Sequence, residues 1–330
     1  MIKTKIAGVG YYVPDQVITN QDLEQQMDTS NEWIVSRSGI EERRWVRDGI
    51  CTSDLAFEAS KKAMKAAKVS SKDIDLVIVG TITSDYFFPG VSAQLQDRLD
   101  LHHVGAFDVK AACSAFIYAL SIGDQFIRTG VCSTILIVGA EVQSKFLNIS
   151  TEGRDMTVLF GDGSGAAILQ KSDDESGVLS THLHCQGANV KNLWMEAPGS
   201  AENCQMTNIK LEEGRHFPLM NGREVFRNAI VRFPEVIQES LDASGLTLDD
   251  VNLIIPHQAN LRISQAVAKR LGVGMDKVFS NIHKYGNTTA ASIPIALCEA
   301  VEEKKISKGD VVVLASFGAG FTWASAAIRW

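Results

Sequence analysis

An internal repeat constrains this chain more than any other feature. Three segments of the first half match three of the second at a single offset of 177 residues, with no gap inside any of them. Asp73–Val79 (DIDLVIV) aligns with Asp250–Pro256 (DVNLIIP), Lys110–Leu120 with Asn287–Leu297, and Thr134–Val138 with Val311–Ala315. Gly165–Ile168 echoes Ser325–Ile328 at a shorter offset. A chain of 330 residues with such self-similarity is expected to fold as two related units rather than as unrelated domains.

Each half reads in the same order. Helices at 54–67 and 223–243 precede apolar strands at 75–80 and 252–256. A short strand (Ala106–Val109 in the first half) leads into a helix that begins near 112 and near 289. β-Branched strands at 134–138 and 311–315 follow, then a glycine turn and last strands at 165–170 and 323–329. Short continuous apolar runs alternating with helices predict buried, mostly parallel strands. The fold class is therefore α/β, with two similar halves packed as layers. The halves are expected at 1–172 and 223–330, joined by a connecting and capping region at 173–222. Its 186–222 part is polar, rich in Gly and Asn, and without pattern, as loop excursions are.

Composition removes several classes. Apolar residues make up 45% and charged residues 22%, which are globular values. The net charge of −7 argues against a nucleic-acid binder and leaves no global attraction to anionic lipid. The N-terminal MIKTKIAGVGYYVP lacks the apolar core and cleavage site of a signal peptide. Residues 311–328 carry no charge and approach the length of a membrane span. Their glycines, hydroxylated side chains and polar break after Ser316 predict two buried strands joined by a glycine loop instead. Six cysteines without a CxxC pair form no disulfide framework, and a reducing cytoplasm fits them. His and Cys show no zinc-ligand spacing, so no metal is expected.

Reactive residues fall at equivalent points of the repeat. Cys113 follows the strand Ala106–Val109 and opens the helix Ser114–Gln125. A helix N-terminus there would lower the thiol pKa and favour thiolate, with Ala111, Ala112, Ser114 and Ala115 leaving access. The same position also suits a small buried residue at a tight junction. His257 ends the equivalent strand of the second half, where α/β folds place reactive groups, though a turn histidine would serve there too. Asn287 precedes the helix aligned with that of Cys113, and an ordinary N-cap is its other reading. If a pseudo-twofold axis relates the halves, the three converge on one point and make an uncharged Cys/His/Asn site. Gly161–Gly165 (GDGSG) looks like a nucleotide loop, but a strand follows it rather than a helix. His283 aligns with Ala106 at a strand start and is expected at the surface.

Four motifs, Ala111–Ser114 (AACS), Phe160–Gly165 (FGDGSG), Pro256–Arg262 (PHQANLR) and Tyr285–Thr288 (YGNT), carry a family resemblance. The chain resembles the β-ketoacyl-acyl-carrier-protein synthase III family of the thiolase superfamily, from Asp28–Ile40 to Phe317–Trp323. The resemblance implies a duplicated thiolase-like fold of five layers, αβαβα, and a homodimer. It implies a cytoplasmic enzyme that uses acyl-CoA and malonyl-acyl carrier protein as substrates and no cofactor. Cys113 would take the acyl group. His257 and Asn287 would stabilise the enolate left by decarboxylation, and the N–H groups of Cys113 and Ala319 would hold the tetrahedral oxyanion. Trp33 and Arg37 look like a clamp on the CoA adenine, with Arg154 a second contact. Phe88 resembles the residue that closes the acyl pocket across the dimer, and Phe146 and Leu147 would share in setting its depth. Arg227, Arg262, Lys269 and Arg270 would meet an acidic carrier protein. Ala319 stands where many members have glycine. Two further readings compete: a secondary-metabolism condensing enzyme or acyltransferase of the same fold, and a silent acyl-CoA-binding scaffold, against which the intact Cys113/His257/Asn287 set argues.

Overall fold

A computed structural model of the chain describes residues 2–201 and 208–330. Cys204 and part of the 186–222 segment lie outside the described residues. Nine strands form the two principal sheets. They are Thr4–Tyr12 (β1), Leu76–Gly80 (β2), Gly105–Val109 (β3), Thr134–Glu141 (β4), Gly163–Lys171 (β5), Gly177–Cys185 (β6), Leu253–Pro256 (β7), Val311–Gly318 (β8) and Thr322–Arg329 (β9). The first sheet runs β1-β5-β4-β2-β3 and the second β6-β9-β8-β7. Pairing is parallel within β4-β2-β3 and β8-β7, and antiparallel elsewhere.

The helices that matter for the layers and the site include Asn31–Ser38 (α1), Thr52–Ala67 (α2), Ala115–Arg128 (α3), Gly222–Ser244 (α4), Leu261–Leu271 (α5) and Ser292–Glu302 (α6). In β4, Leu136 and Val138 face outward onto Ala56, Ala59 and Ala63 of α2. Ile135 and Ile137 face inward onto Phe116 and Ile117 of α3 and Ile293 and Leu297 of α6. Because the strand is covered on both faces, it reads as an unbroken apolar run rather than an alternation. The same inner helices pack on Ile255, Leu314 and Ala326 of the second sheet, whose far face is covered by α4 and α5. The order is αβαβα.

The repeat is exact in small details. Ser70 with Asp73, and Thr247 with Asp250, make the same reciprocal capping box. Asp75 accepts the N–H of Thr134 and Asn252 that of Val311, each at 2.9 Å. The uncharged 311–328 stretch is the hairpin β8–β9, and among the described residues no helix is long and apolar enough to cross a membrane.

Three expectations need correction. The region 173–222 is not a single connector, because β6 is integrated into the second sheet beside β9. Its polar sequence, STHLH in the middle, fits an edge strand that is only half buried. The short strand expected before 289 is also missing. Ile282–Tyr285 forms a helical turn there, and all that remains of the strand's pairing is a bridge between Ile254 and Val278. The 186–222 segment, expected without structure, holds short elements at Gly187–Asn192, Leu193–Trp194, Asn208–Glu212 and Leu219–Met220.

Between the sheets the starts of α3 and α6 face each other through Ala111, Ala115 and Ala290. Each helix is entered by a short 3₁₀ turn whose first residue is left-handed, Ala112 at φ 46° and Thr289 at φ 49°. Gly139 of β4 backs this seam, and a Cβ on it would lie 2.3 Å from the Ala290 carbonyl oxygen. Glu141, fully buried at the end of β4, accepts from Thr83 Oγ1 at 2.6 Å, from the Ile82 N–H and from the Ala290 N–H. Burial pushes its carboxyl up to about 8, with those hydrogen bonds pulling the other way.

Gly139→Ala should therefore cost about 1–3 kcal/mol or more, since the obstacle is backbone on both sides; urea unfolding at the parent value would refute the packing account. The sign for Glu141 follows from linkage. Its folded pKa lies above its unfolded one, so the native state holds the extra proton and loses stability as pH rises towards 8. Unfolding free energy should fall by about 1–2 kcal/mol between pH 6.5 and 8, and Glu141→Gln should flatten that slope. An equal slope in the variant would place its origin elsewhere.

Candidate active site

Cys113 sits in the turn Ala112–Ser114 between β3 and α3 and is only 6% exposed. The end of β8 presses against it. A Cβ on Gly318 would lie 2.6 Å from the Cys113 Cβ, so only glycine lets the strand come this close. The backbone N–H groups of Ala319 and Cys113 lie near the sulfur and favour its charged form. The expected drop in thiol pKa is absent. Burial pushes the Cys113 thiol up to about 12 and Glu141 adds to the rise, against the pull of the two N–H groups. Desolvation of the thiolate outweighs the helix terminus here.

His257 follows β7 and extends its ladder by donating its N–H to the Ala315 carbonyl at 2.8 Å. The side chain is 2% exposed. Its Nδ1 lies 2.6 Å from Ser292 Oγ, while its buried Nε2 has no hydrogen-bond partner among the described residues. Burial lowers the imidazole to about 3, so the ring is neutral.

Asn287 is held through its main chain, donating to the Leu159 carbonyl at 2.8 Å and accepting from the Gly161 N–H at 3.1 Å. A Cβ at Gly161 would strike the Tyr285 carbonyl at 2.3 Å, which explains the first glycine of the GDGSG loop without any nucleotide. The Asn287 Oδ1 accepts the Thr289 N–H at 2.9 Å, which fixes the amide and leaves Nδ2 as a donor.

Cys113, His257 and Asn287 line one cavity of about 570 Å³, walled by Leu159, Phe160, Phe233 and Phe317 and reached past Leu193, Met220 and Phe226. Its mouth carries Trp33, Arg37, Arg223, Arg227 and Arg262. Trp33 is set in α1, whose N-cap Ser30 accepts the Trp33 N–H. The guanidinium of Arg37 lies 4.7 Å from the indole centroid and that of Arg154 5.2 Å. Arg154 touches the site through Trp33 and does not line the cavity.

Other expected residues lie elsewhere. Lys269 and Arg270 are in the last turn of α5, while the cavity meets its first turn at Arg262 and Ile263. Arg270 borders a separate depression with Glu235 and Gln238. Phe88 is 80% exposed at the tip of the loop before Val91 and is not part of the cavity wall. Nor are Phe146 and Leu147. Leu147 packs instead with Ile34 and Trp45. His283 is exposed. Among the described residues no cluster of three or more His, Cys, Asp or Glu could hold a metal. Sequence reasoning missed Arg223, Glu141 and Ser292. Arg223 was readable, being four residues before Arg227 on the same helix face. Glu141 and Ser292 gave no sequence signal.

Comparison with known proteins identifies the family. The family model for 3-oxoacyl-[acyl-carrier-protein (ACP)] synthase III matches residues 107–187, and the model for its C-terminal part matches 241–330. The β-ketoacyl-[acyl-carrier-protein] synthase III of Xanthomonas campestris is 46% identical over 332 residues, covering all of this chain and 99% of that one. The crystal structure of 3-oxoacyl-[acyl-carrier-protein] synthase III from Aquifex aeolicus superposes with a TM-score of 0.91 at 41% identity, over 99% of this chain and 100% of that one. The priming β-ketosynthase of the R1128 polyketide pathway gives 0.90 at 30% identity, over 98% and 95%. The chain thus belongs to the β-ketoacyl-acyl-carrier-protein synthase III family, condensing acyltransferases of thiolase-like fold.

Proposed function

We propose that Cys113, His257 and Asn287 carry out the initiating condensation of fatty acid synthesis, joining a short acyl-CoA to malonyl-acyl carrier protein. The observation that carries this reading is the convergence of one thiol and two neutral hydrogen-bond donors on a single buried cavity. In the first step Cys113 Sγ bonds to the acyl carbonyl, and CoA leaves with the thiol proton. The malonyl group then loses carbon dioxide, and the released electron pair forms an enolate. His257 Nε2–H and Asn287 Nδ2–H stabilise its oxygen. Neutral donors suit this task because they need no counter-charge in a dry site. The carbanion bonds to the acyl carbon, the oxyanion rests on the N–H groups of Cys113 and Ala319, and the Cys113 sulfur leaves to regain a proton. The product is a 3-ketoacyl chain on the carrier protein.

Binding follows from the mouth. Arg37, Arg154 and Trp33 form a stack suited to a nucleotide base and its phosphates. Arg227 and Arg262, with Lys269 and Arg270 further along α5, give a chain of net charge −7 a local positive face for an acidic carrier protein. The enzyme works as a homodimer in the cytoplasm in this reading. Tyr86, Phe87 and Phe88 are 62%, 80% and 80% exposed, an apolar tip beside the free edge of β3 that suits a second copy. Phe88 then closes the partner's acyl pocket and limits the primer to short chains.

The deciding experiment is intact-protein mass after mixing with a panel of acyl-CoAs. The parent should gain the acyl mass with short primers only, and Cys113→Ser should gain none. Absence of any adduct on the parent would sink the reading. Asn287→Ala should decarboxylate malonyl-carrier protein about 10²–10³-fold more slowly; a parental rate would remove Asn287 from the oxyanion role. Phe88→Ala should admit longer primers in the same mass assay, and an unchanged preference would remove Phe88 from the pocket.

A further inference from the structure

We infer that Ser292 is the positioning residue that fixes His257 in the tautomer with its proton on Nε2. The inference rests on the reading of His257 as a donor to the reacting oxygen. Ser292 opens α6 and is 2% exposed, so its hydroxyl has no access to bulk water. Its Oγ makes two contacts among the described residues: it accepts the Gln258 N–H at 3.3 Å and faces His257 Nδ1 at 2.6 Å. One lone pair is therefore used, and the hydroxyl proton needs an acceptor. A buried donor left unmade costs about 1–3 kcal/mol. Within reach the acceptor is Nδ1, which a neutral imidazole can offer only when Nε2 carries the hydrogen.

The opposite assignment fails twice. With hydrogen on Nδ1, Ser292 Oγ would accept two bonds and its own proton would have no acceptor. Nε2 would then present a lone pair to the cavity, where an enolate oxygen would be repelled. The neighbouring residues supply no competing charge. Ser292 is flanked in sequence by Ala291 and Ile293, and the Gln258 carboxamide is turned away, donating to the carbonyls of Pro256 at 2.7 Å and Phe279 at 3.2 Å.

The repeat separates this role from a structural one. The counterparts of His257 and Ser292 in the first half are Gly80 and Ala115. There a Cβ on Gly80 would come within 2.8 Å of the Ala115 Cβ. That junction packs with two small groups and no hydroxyl. The fold accepts alanine at this point, so the hydroxyl of Ser292 belongs to the histidine.

The test is ¹⁵N NMR of histidine-labelled protein, with His257→Ala used to assign the His257 signals among the seven histidines. The parent should show Nε2 protonated and Nδ1 bare. Ser292→Ala should show mixed tautomers and decarboxylate malonyl-carrier protein about 10–100-fold more slowly, and Ser292→Thr should restore both. Hydrogen on Nδ1 in the parent, or an unchanged tautomer and rate in Ser292→Ala, would overturn the inference. If Ser292→Ala does not fold, the parent spectrum and Ser292→Thr still decide it. A parent that shows the expected tautomer but never decarboxylates malonyl-carrier protein would count against the proposed reaction alone.

Discussion

The site depends on two helix starts buried against each other between two sheets. A helix N-terminus leaves N–H groups without partners, and here both starts are buried. The starts of α3 and α6 meet through alanines, and each is reached through a left-handed residue, Ala112 or Thr289. Such a conformation costs about 1–2 kcal/mol for a residue with a side chain. Packing from both sheets holds it, and the result is two equivalent places where polar groups must be satisfied from the strand ends opposite.

The two places are satisfied differently, and this difference makes a single site from a duplicated fold. Cys113 and Ala290 are counterparts in the repeat, as are Glu141 and Gly318. At Ala290 the strand end supplies a carboxyl that takes the N–H, so that helix start is closed. At Cys113 the strand end supplies a glycine, which lets the strand close on the cysteine side chain. That helix start carries no such carboxyl, and the Ala319 and Cys113 N–H groups beside the sulfur favour negative charge there. Glu141 still acts across the seam, since its negative form disfavours a Cys113 thiolate.

Much of this was legible in the sequence because apolar runs and a constant offset record the burial of strands and the packing of layers. β2, β4, β8 and α2 fell within a few residues of their expected bounds. β6 was not legible, since an edge strand open to solvent needs no apolar alternation. The lost strand before Thr289 was not legible either, because the offset carries homology of the fold but not the replacement of a strand by a helical turn at Ile282–Tyr285. For the site, spacing could bring Cys113, His257 and Asn287 to equivalent ends of the halves. It could not weigh burial against a helix terminus, so the thiol pKa came out with the wrong sign. Ser292 is a serine among small residues, and only its 2.6 Å approach to Nδ1 distinguishes it.

The electrostatics of the resting cavity then bear on how it can work. Burial raises the Cys113 thiol and lowers the His257 imidazole, so both shifts oppose a thiolate–imidazolium pair. The stable resting state is a thiol beside a neutral ring. A neutral ring does not take the thiol proton readily, but it is well suited to donate a hydrogen bond to an oxygen that becomes negative. In the proposed reaction nucleophilic attack would therefore coincide with the arrival of substrate, when the acyl oxygen would meet the N–H groups of Cys113 and Ala319 and the departing thiolate could take the proton. On that proposal the uncharged His257 and Asn287 would still be neutral when the malonyl carboxylate enters, and the enolate oxygen would meet two donors that have formed no ion pair with the protein. A permanent cation in this place would bind the carboxylate of the ground state as well as the enolate. Neutral donors favour the charge that develops on the thioester oxygen, which is the discrimination catalysis requires.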